Sequence, residues 1–151
     1  VYMEHKTLWG AEGPLDESVT IPLGQAAVRR AGSDITIVSW SKQALVCAAA
    51  CDTLAAQGIQ AELIDLRTIW PWDRDTVLAS AAKTGRLLVV HEAIQAAGFG
   101  AEIAATAAEA TGCKISRLGA PRIPVGYAPV LEAQSRVTAD AIVARVQQLL
   151  A

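Results

Sequence analysis

A chain of 151 residues that is 52% hydrophobic and 19% charged has the size and apolar content of one domain with a full core. Its net charge of -2, with Arg29-Arg30 the one adjacent basic pair, argues against nucleic acid or anionic lipid as a partner. No apolar run reaches the roughly 20 residues of a membrane helix, no secretory signal pattern is present, and three sparse cysteines, Cys47, Cys51 and Cys113, suit a reducing, cytoplasmic setting better than a disulfide framework.

The chain opens at Val1 without an initiator methionine, and Val1 to His5 reads as the end of something already under way, so a fragment of a longer protein is expected. Residues 1–24 read as a connector, punctuated by Gly10, Gly13, Pro14, Pro22 and Gly24, with Trp9 expected to pack on a neighbouring surface. Residues 25–151 read as the domain proper. QAAVRRA over 25–31 fits a short, charged edge strand, and Gly32-Ser33-Asp34 a turn. Ile35 to Trp40 is a β-branched strand. Lys42 to Gln57 predicts a helix stopped by Gly58, with Val46, Ala50 and Leu54 as its ridge. Ala61 to Asp65 is the next strand, and Asp73 caps a helix that Gly85 stops. Arg86 to His91 is a continuously apolar strand of the kind covered on both faces. The helix from Ala101 to Ala110 ends before Gly112, and Lys114 to Leu118 is a further strand. After a proline-rich loop, Thr138 caps a last helix whose Ile142, Val146 and Leu149 or Leu150 face its own sheet.

The four clear strands begin roughly 26 residues apart, the length of a strand and its crossover helix, which predicts a largely parallel sheet between helix layers. Right-handed crossovers put the strand carboxyl ends on one rim, where open α/β sheets bind ligands and partners. That rim carries Trp40-Ser41, Arg67, His91-Glu92 and Gly119. His91 can serve as acid, base or donor. As neighbours on a strand, however, His91 and Glu92 point to opposite faces, so a border or contact role is the stronger expectation. Gly98-Phe99-Gly100 before a helix could cradle an anion. It lacks the third glycine and later acid of a dinucleotide fingerprint, so a tight turn with Phe99 packed inward is favoured. Cys47 and Cys51 lie one helical turn apart, and two thiols alone do not complete a zinc site, so they read as small core residues. Arg67 could grip a carboxylate. Trp70-Pro71-Trp72 forms either a rigid apolar contact loop or a seal on the end of the core.

Several segments together, in one order, resemble a known family: TIPLGQA (20–26), GSDITIVS (32–39), IDLRT (64–68) with Pro71, TGRLLVVHEA (84–93) with GFGAEI (98–103), and YAP (127–129) with Leu131-Glu132. They are similar to the C-terminal domain of the beta subunit of thiamine-diphosphate-dependent 2-oxo acid dehydrogenases, in the transketolase superfamily. The resemblance implies a three-layer α/β/α domain with a five-stranded, mostly parallel mixed sheet whose first strand is antiparallel. It implies that residues 1–24 leave an upstream pyrimidine-binding domain. For the parent protein it implies thiamine diphosphate and magnesium held outside this stretch, an alpha subunit and a second beta subunit in a heterotetramer, and a lipoyl acyltransferase as acceptor; the fragment alone is expected to bind no cofactor and to be inactive. Arg67, Trp70, Trp72, His91 and Glu92 are the interface candidates, His91 and Glu92 also a possible active-site border. His91-Glu92-Ala93 leans toward the branched-chain members. Two alternatives are a transketolase or deoxyxylulose phosphate synthase domain and a free-standing α/β binding module, though the latter would need a phosphate loop or acid cluster after Ile35–Trp40. Apolar surface near Trp9 and Trp70 predicts pairing of the isolated chain.

Overall fold

The computed structural model describes residues 1–14 and 16–151. Five strands, β1 (Ala27–Arg30), β2 (Ile35–Ser39), β3 (Ala61–Asp65), β4 (Arg86–Ile94) and β5 (Lys114–Ala120), form one sheet in the order β1-β3-β2-β4-β5. β1 runs antiparallel to β3, and the other pairings are parallel. The helices are α1 (Lys42–Ala56), α2 (Arg74–Thr84), α3 (Gly100–Thr111), α4 (Pro129–Glu132) and α5 (Ala139–Leu150).

Side-chain parity sorts the core into two halves. Ile35, Ile37, Leu63, Leu88 and Val90 pack against α1 and α5 through Cys47, Leu54, Ile142 and Val146. Val38, Ile64, Leu87 and Val89 point the other way, onto Val77 and Ala81 of α2 and Ile103 and Ala107 of α3. β4 is thus apolar on both faces over Leu87–Val90, which is why it reads as an unbroken hydrophobic run. Each fully buried Ile or Leu contributes on the order of 2 kcal/mol of burial.

Local chemistry sets the ends of the elements. The Asp73 carboxylate accepts from Thr76 N at 3.1 Å to cap α2, and its other oxygen accepts from Ala26 N at 2.9 Å, tying the entry of β1 to the same point. Gly85 and Gly112 close α2 and α3 in the left-handed conformation, at φ 67° and 65°. Thr138 caps α5. On the α2 side a polar knot lies under the sheet. Glu62 is buried and bonded to Lys83 and Ser80, and Thr36 meets Ser80 at 2.6 Å and Thr84 at 2.8 Å.

Two expectations are corrected, the end of β4 and the form of the proline-rich loop. β4 does not end at His91 but continues to Ile94, after a register shift against β5 between Val90 and Ile94. The α1 ridge packs inward as expected, with Ala50 and Leu54 fully buried and Val46 partly buried against the same core, and Gln43, Ala44, Cys47 and Cys51 widen the buried face. The proline-rich loop contains the short helix α4, which Pro129 begins. Trp9 is 68% exposed, and its indole N–H donates to Glu4 at 3.0 Å beside a 3-10 turn at Lys6–Leu8.

Candidate functional site: the carboxyl-end rim

The loops leaving β2, β3 and β4 each contain a non-glycine residue with positive φ: Ser41 at 55°, Arg67 at 60° and Ala97 at 63°. Such conformations disfavour residues with a Cβ, and they cluster where a fold needs a particular surface more than local comfort. No glycine or asparagine marks these positions, so the sequence carried no signal for them.

His91 lies at the centre of this rim and is 0% exposed. It shares the parity of Leu87 and Val89 and so points toward α3. Its ring stacks on Trp40 at 5.4 Å between centroids and 20° between planes. The rest of its surroundings are glycines. A Cβ on Gly98 would lie 2.7 Å from Cε1, one on Gly100 2.5 Å from Cδ2 and Nε2, and one on Gly119 2.8 Å from Cε1. Three backbones from three different elements therefore touch the imidazole where no side chain would fit. Nδ1 lies 3.0 Å from the Ala93 carbonyl oxygen. A carbonyl can only accept, so Nδ1 carries the hydrogen and Nε2 is left as a bare acceptor. Nε2 is buried with no partner among the described residues. Burial pushes the His91 pKa below the ordinary value, Arg117 adds to that effect, and the bond to Ala93 partly opposes it. The ring is neutral at physiological pH and has no room beside it for a reacting group.

Glu92 faces the opposite way, toward α1. Its carboxylate is 3.1 Å from His5 Nε2 and 4.0 Å from Lys42 Nζ. The sequence brought His91 and Glu92 together as neighbours, but the strand separates their chemistry, and they form no acid–base dyad.

Phe99 lies edge-on to Trp40 at 6.2 Å and to Trp72 at 6.3 Å, so it is packed inward. The two tryptophans of the Trp70-Pro71-Trp72 loop part company. Trp72 seals the end of the core against Phe99, while Trp70 is 80% exposed. Trp70, Pro71, Trp72 and Arg74 face Glu102 and Thr106 across a groove of about 250 Å³. Arg67 is exposed, and its side chain makes no ion pair among the described residues. The thiols of Cys47 and Cys51 are core groups, pushed up to about 12 and about 11 chiefly by burial. Among the described residues no three His, Cys, Asp or Glu side chains are grouped to hold a metal ion. The Gly98–Gly100 turn is filled by His91 and Phe99. The residues present therefore do not form a cradle for a diphosphate or its magnesium.

Comparison with known proteins places the chain in a family. The family described as Transketolase, C-terminal domain matches residues 24–142. The chain is 48% identical, over 72% of its length, to 2-oxoisovalerate dehydrogenase subunit beta 2, mitochondrial, of Arabidopsis thaliana, and covers 31% of that protein. It is 36% identical, over 99% of its length, to the acetoin:2,6-dichlorophenolindophenol oxidoreductase subunit beta of Bacillus subtilis, and covers 45% of it. Among solved structures, a split-gene transketolase described as an inactive beta4 tetramer superposes with a TM-score of 0.83 at 26% identity, over 93% of this chain and 47% of that one. The chain thus spans less than half the length of these relatives. It belongs to the transketolase C-terminal domain family.

Proposed function

We propose that this domain is the C-terminal assembly domain of the beta subunit of a thiamine-diphosphate-dependent 2-oxo acid dehydrogenase, and that the parent enzyme acts on branched-chain 2-oxo acids. The observation that carries this reading is the 48% identity, over 72% of the chain, to a 2-oxoisovalerate dehydrogenase beta subunit, against 40% over 87% to the acetoin enzyme's of Cupriavidus necator and 38% over 87% to the pyruvate dehydrogenase's of Pisum sativum. In this reading residues 1–24 lead from a pyrimidine-binding domain and residues 25–151 form the C-terminal unit. The cofactor supplies the carbanion chemistry of decarboxylation from a site built by the upstream domain and an alpha subunit. The partners are the alpha subunit, a second beta subunit and a lipoyl acyltransferase core, in a reducing compartment such as the cytoplasm. Trp70 and Arg67 are the exposed candidates for subunit contact, while His91 and Trp72 support that surface from beneath.

The test is co-expression of the full-length parent with its alpha subunit, followed by comparison of kcat/KM for 3-methyl-2-oxobutanoate and pyruvate. Activity that requires both subunits and favours the branched-chain substrate is the expected result. A preference for pyruvate would overturn the substrate assignment, and activity of the beta chain alone would overturn the assembly role.

A further inference from the structure

We propose that the groove beside Trp70 seats the proline-rich loop of a second copy of this chain, each copy giving its loop and receiving its partner's. This deepens the assembly role proposed above, on which it rests, by naming the two surfaces through which one beta chain meets another. Both surfaces lie on the carboxyl-end rim. The groove follows β3 and is completed by the first turns of α3, and the loop, residues 121–131, follows β5. A two-fold axis through that rim brings each loop to the opposite groove and closes the dimer. A foreign segment would cover the groove and leave the loop bare, whereas a second copy covers both at once.

The two surfaces are matched in chemistry. One wall of the groove is aromatic, with Trp70 exposed and Trp72 held from beneath by Phe99. The other wall is α3, which presents Glu102. The loop offers apolar side chains in exposed positions, among them Val125, Tyr127 and Val130. It also carries Arg122. Arg122 and Glu102 are both exposed, opposite in charge, and without an ion pair among the described residues. Tryptophan, tyrosine and arginine are the residues that carry most of the energy of protein interfaces. Here they are divided between groove and loop. The loop is also stiff, so docking orders little that is not already fixed. Pro121, Pro124 and Pro129 set φ at three positions. Gly126 lies so close to α4 that a Cβ on it would stand 2.4 Å from Leu131 Cβ.

Sedimentation equilibrium of the 151-residue chain, whose sheet is covered on both faces by its own helices, tests the pairing. The wild type is expected to be a dimer. Trp70→Ser, which changes an exposed side chain, should weaken it about 30-fold or more, the loss typical of a central aromatic anchor. Glu102→Arg and Arg122→Glu should each weaken it about ten-fold or more, since each sets like charges face to face twice per dimer. Mixed in equal amounts, these two charge variants should recover wild-type affinity as a heterodimer, because both contacts then join opposite charges again. A wild type that stays monomeric at millimolar concentration would overturn the pairing. So would a dimer indifferent to Trp70→Ser, or a mixture no tighter than its components. None of these results bears on substrate preference or on the need for an alpha subunit, so failure here is distinct from failure of the functional reading.

Discussion

The glycine cage around His91 makes a quantitative claim through the variant Gly100→Ala. Gly100 opens α3, and its φ is not in the positive region, so alanine meets no backbone obstacle there. By helix propensity alone the change would stabilise by up to about 1 kcal/mol. Against this, the new methyl would lie 2.5 Å from His91 Nε2 and Cδ2 and 3.1 Å from Val89 Cγ1. The ring cannot withdraw, because Trp40 stacks on it and Gly98 and Gly119 close its edges. Overpacking of this kind costs about 1–3 kcal/mol, so steric conflict outweighs propensity. Urea unfolding of the isolated chain should show a lower midpoint with an unchanged slope. His91→Ala alone should destabilise by about 2 kcal/mol, less than an aromatic truncation usually does, because it also relieves the unpaired buried nitrogen. The double variant decides the matter. If the methyl collides with the ring, it fits once the ring is gone, and the double variant should be more stable than the sum of the singles by about 1–3 kcal/mol. A neutral Gly100→Ala, or additivity within about 0.5 kcal/mol, would refute the cage.

Acid should weaken the fold in a window set by His91. Its folded pKa lies below the 6.5 of the free side chain, so the unfolded chain binds the proton first. Stability is therefore full above about 6.5 and falls as pH drops toward the lowered folded value, by up to ~1.4 kcal/mol per pH unit. Urea midpoints at pH 7.5 and 5.5 should diverge more in wild type than in His91→Leu, and equal divergence would count against the assignment. Burial alone would raise the Glu62 carboxyl, but Lys83, Ser80 and Gly32 N outweigh it and hold it below its usual range. That contribution is present above about 4.5 and is lost as pH falls through the lowered folded value. Lys83→Met should then cost about 1–3 kcal/mol at pH 7, the lysine being half exposed and the carboxylate buried; a change under about 0.5 kcal/mol in thermal or urea unfolding would show that the pair is incidental. Among the thiols, only half-buried Cys113 should react with a disulfide reagent at pH 7.5 in the native chain, with Cys47 and Cys51 reacting on unfolding. Rapid modification of two or three thiols would contradict the packing.

What the sequence made legible was the part of the fold that short-range chemistry determines. β-branched residues announced β2 and a continuous apolar run β4, and Asp73, Thr138, Gly85 and Gly112 announced helix ends, because a cap or a left-handed turn is decided within a few residues. The width of the buried face of α1 was not legible, because alanines and cysteines leave little hydrophobic contrast; only packing decides that Gln43 and Ala44 join its ridge. The extension of β4 past His91 was invisible for a different reason. It depends on the Ala93 carbonyl meeting His91 Nδ1 and on Gly119 of β5 coming close enough to admit that backbone. Neither condition is local in sequence. The residue types of the candidate site were legible, but their directions were not.

Direction is what changes the reading of the rim. His91 and Glu92 are adjacent, both ionisable, and at the end of the sheet where catalytic groups are often found. One residue of strand alternation gives them opposite fates. The histidine is turned into a space that only glycine backbones can share, and it is kept neutral there. The glutamate is turned outward to a histidine and a lysine. Gly98 and Gly100 look like a nucleotide-loop signature, yet their lack of side chains makes room for an imidazole rather than a phosphate. Neither partner of the pair can pass a proton to the other. The rim is therefore built for shape. Its inner half is fixed by His91, Trp40, Phe99 and Trp72, and its outer half leaves Arg67 and Trp70 exposed.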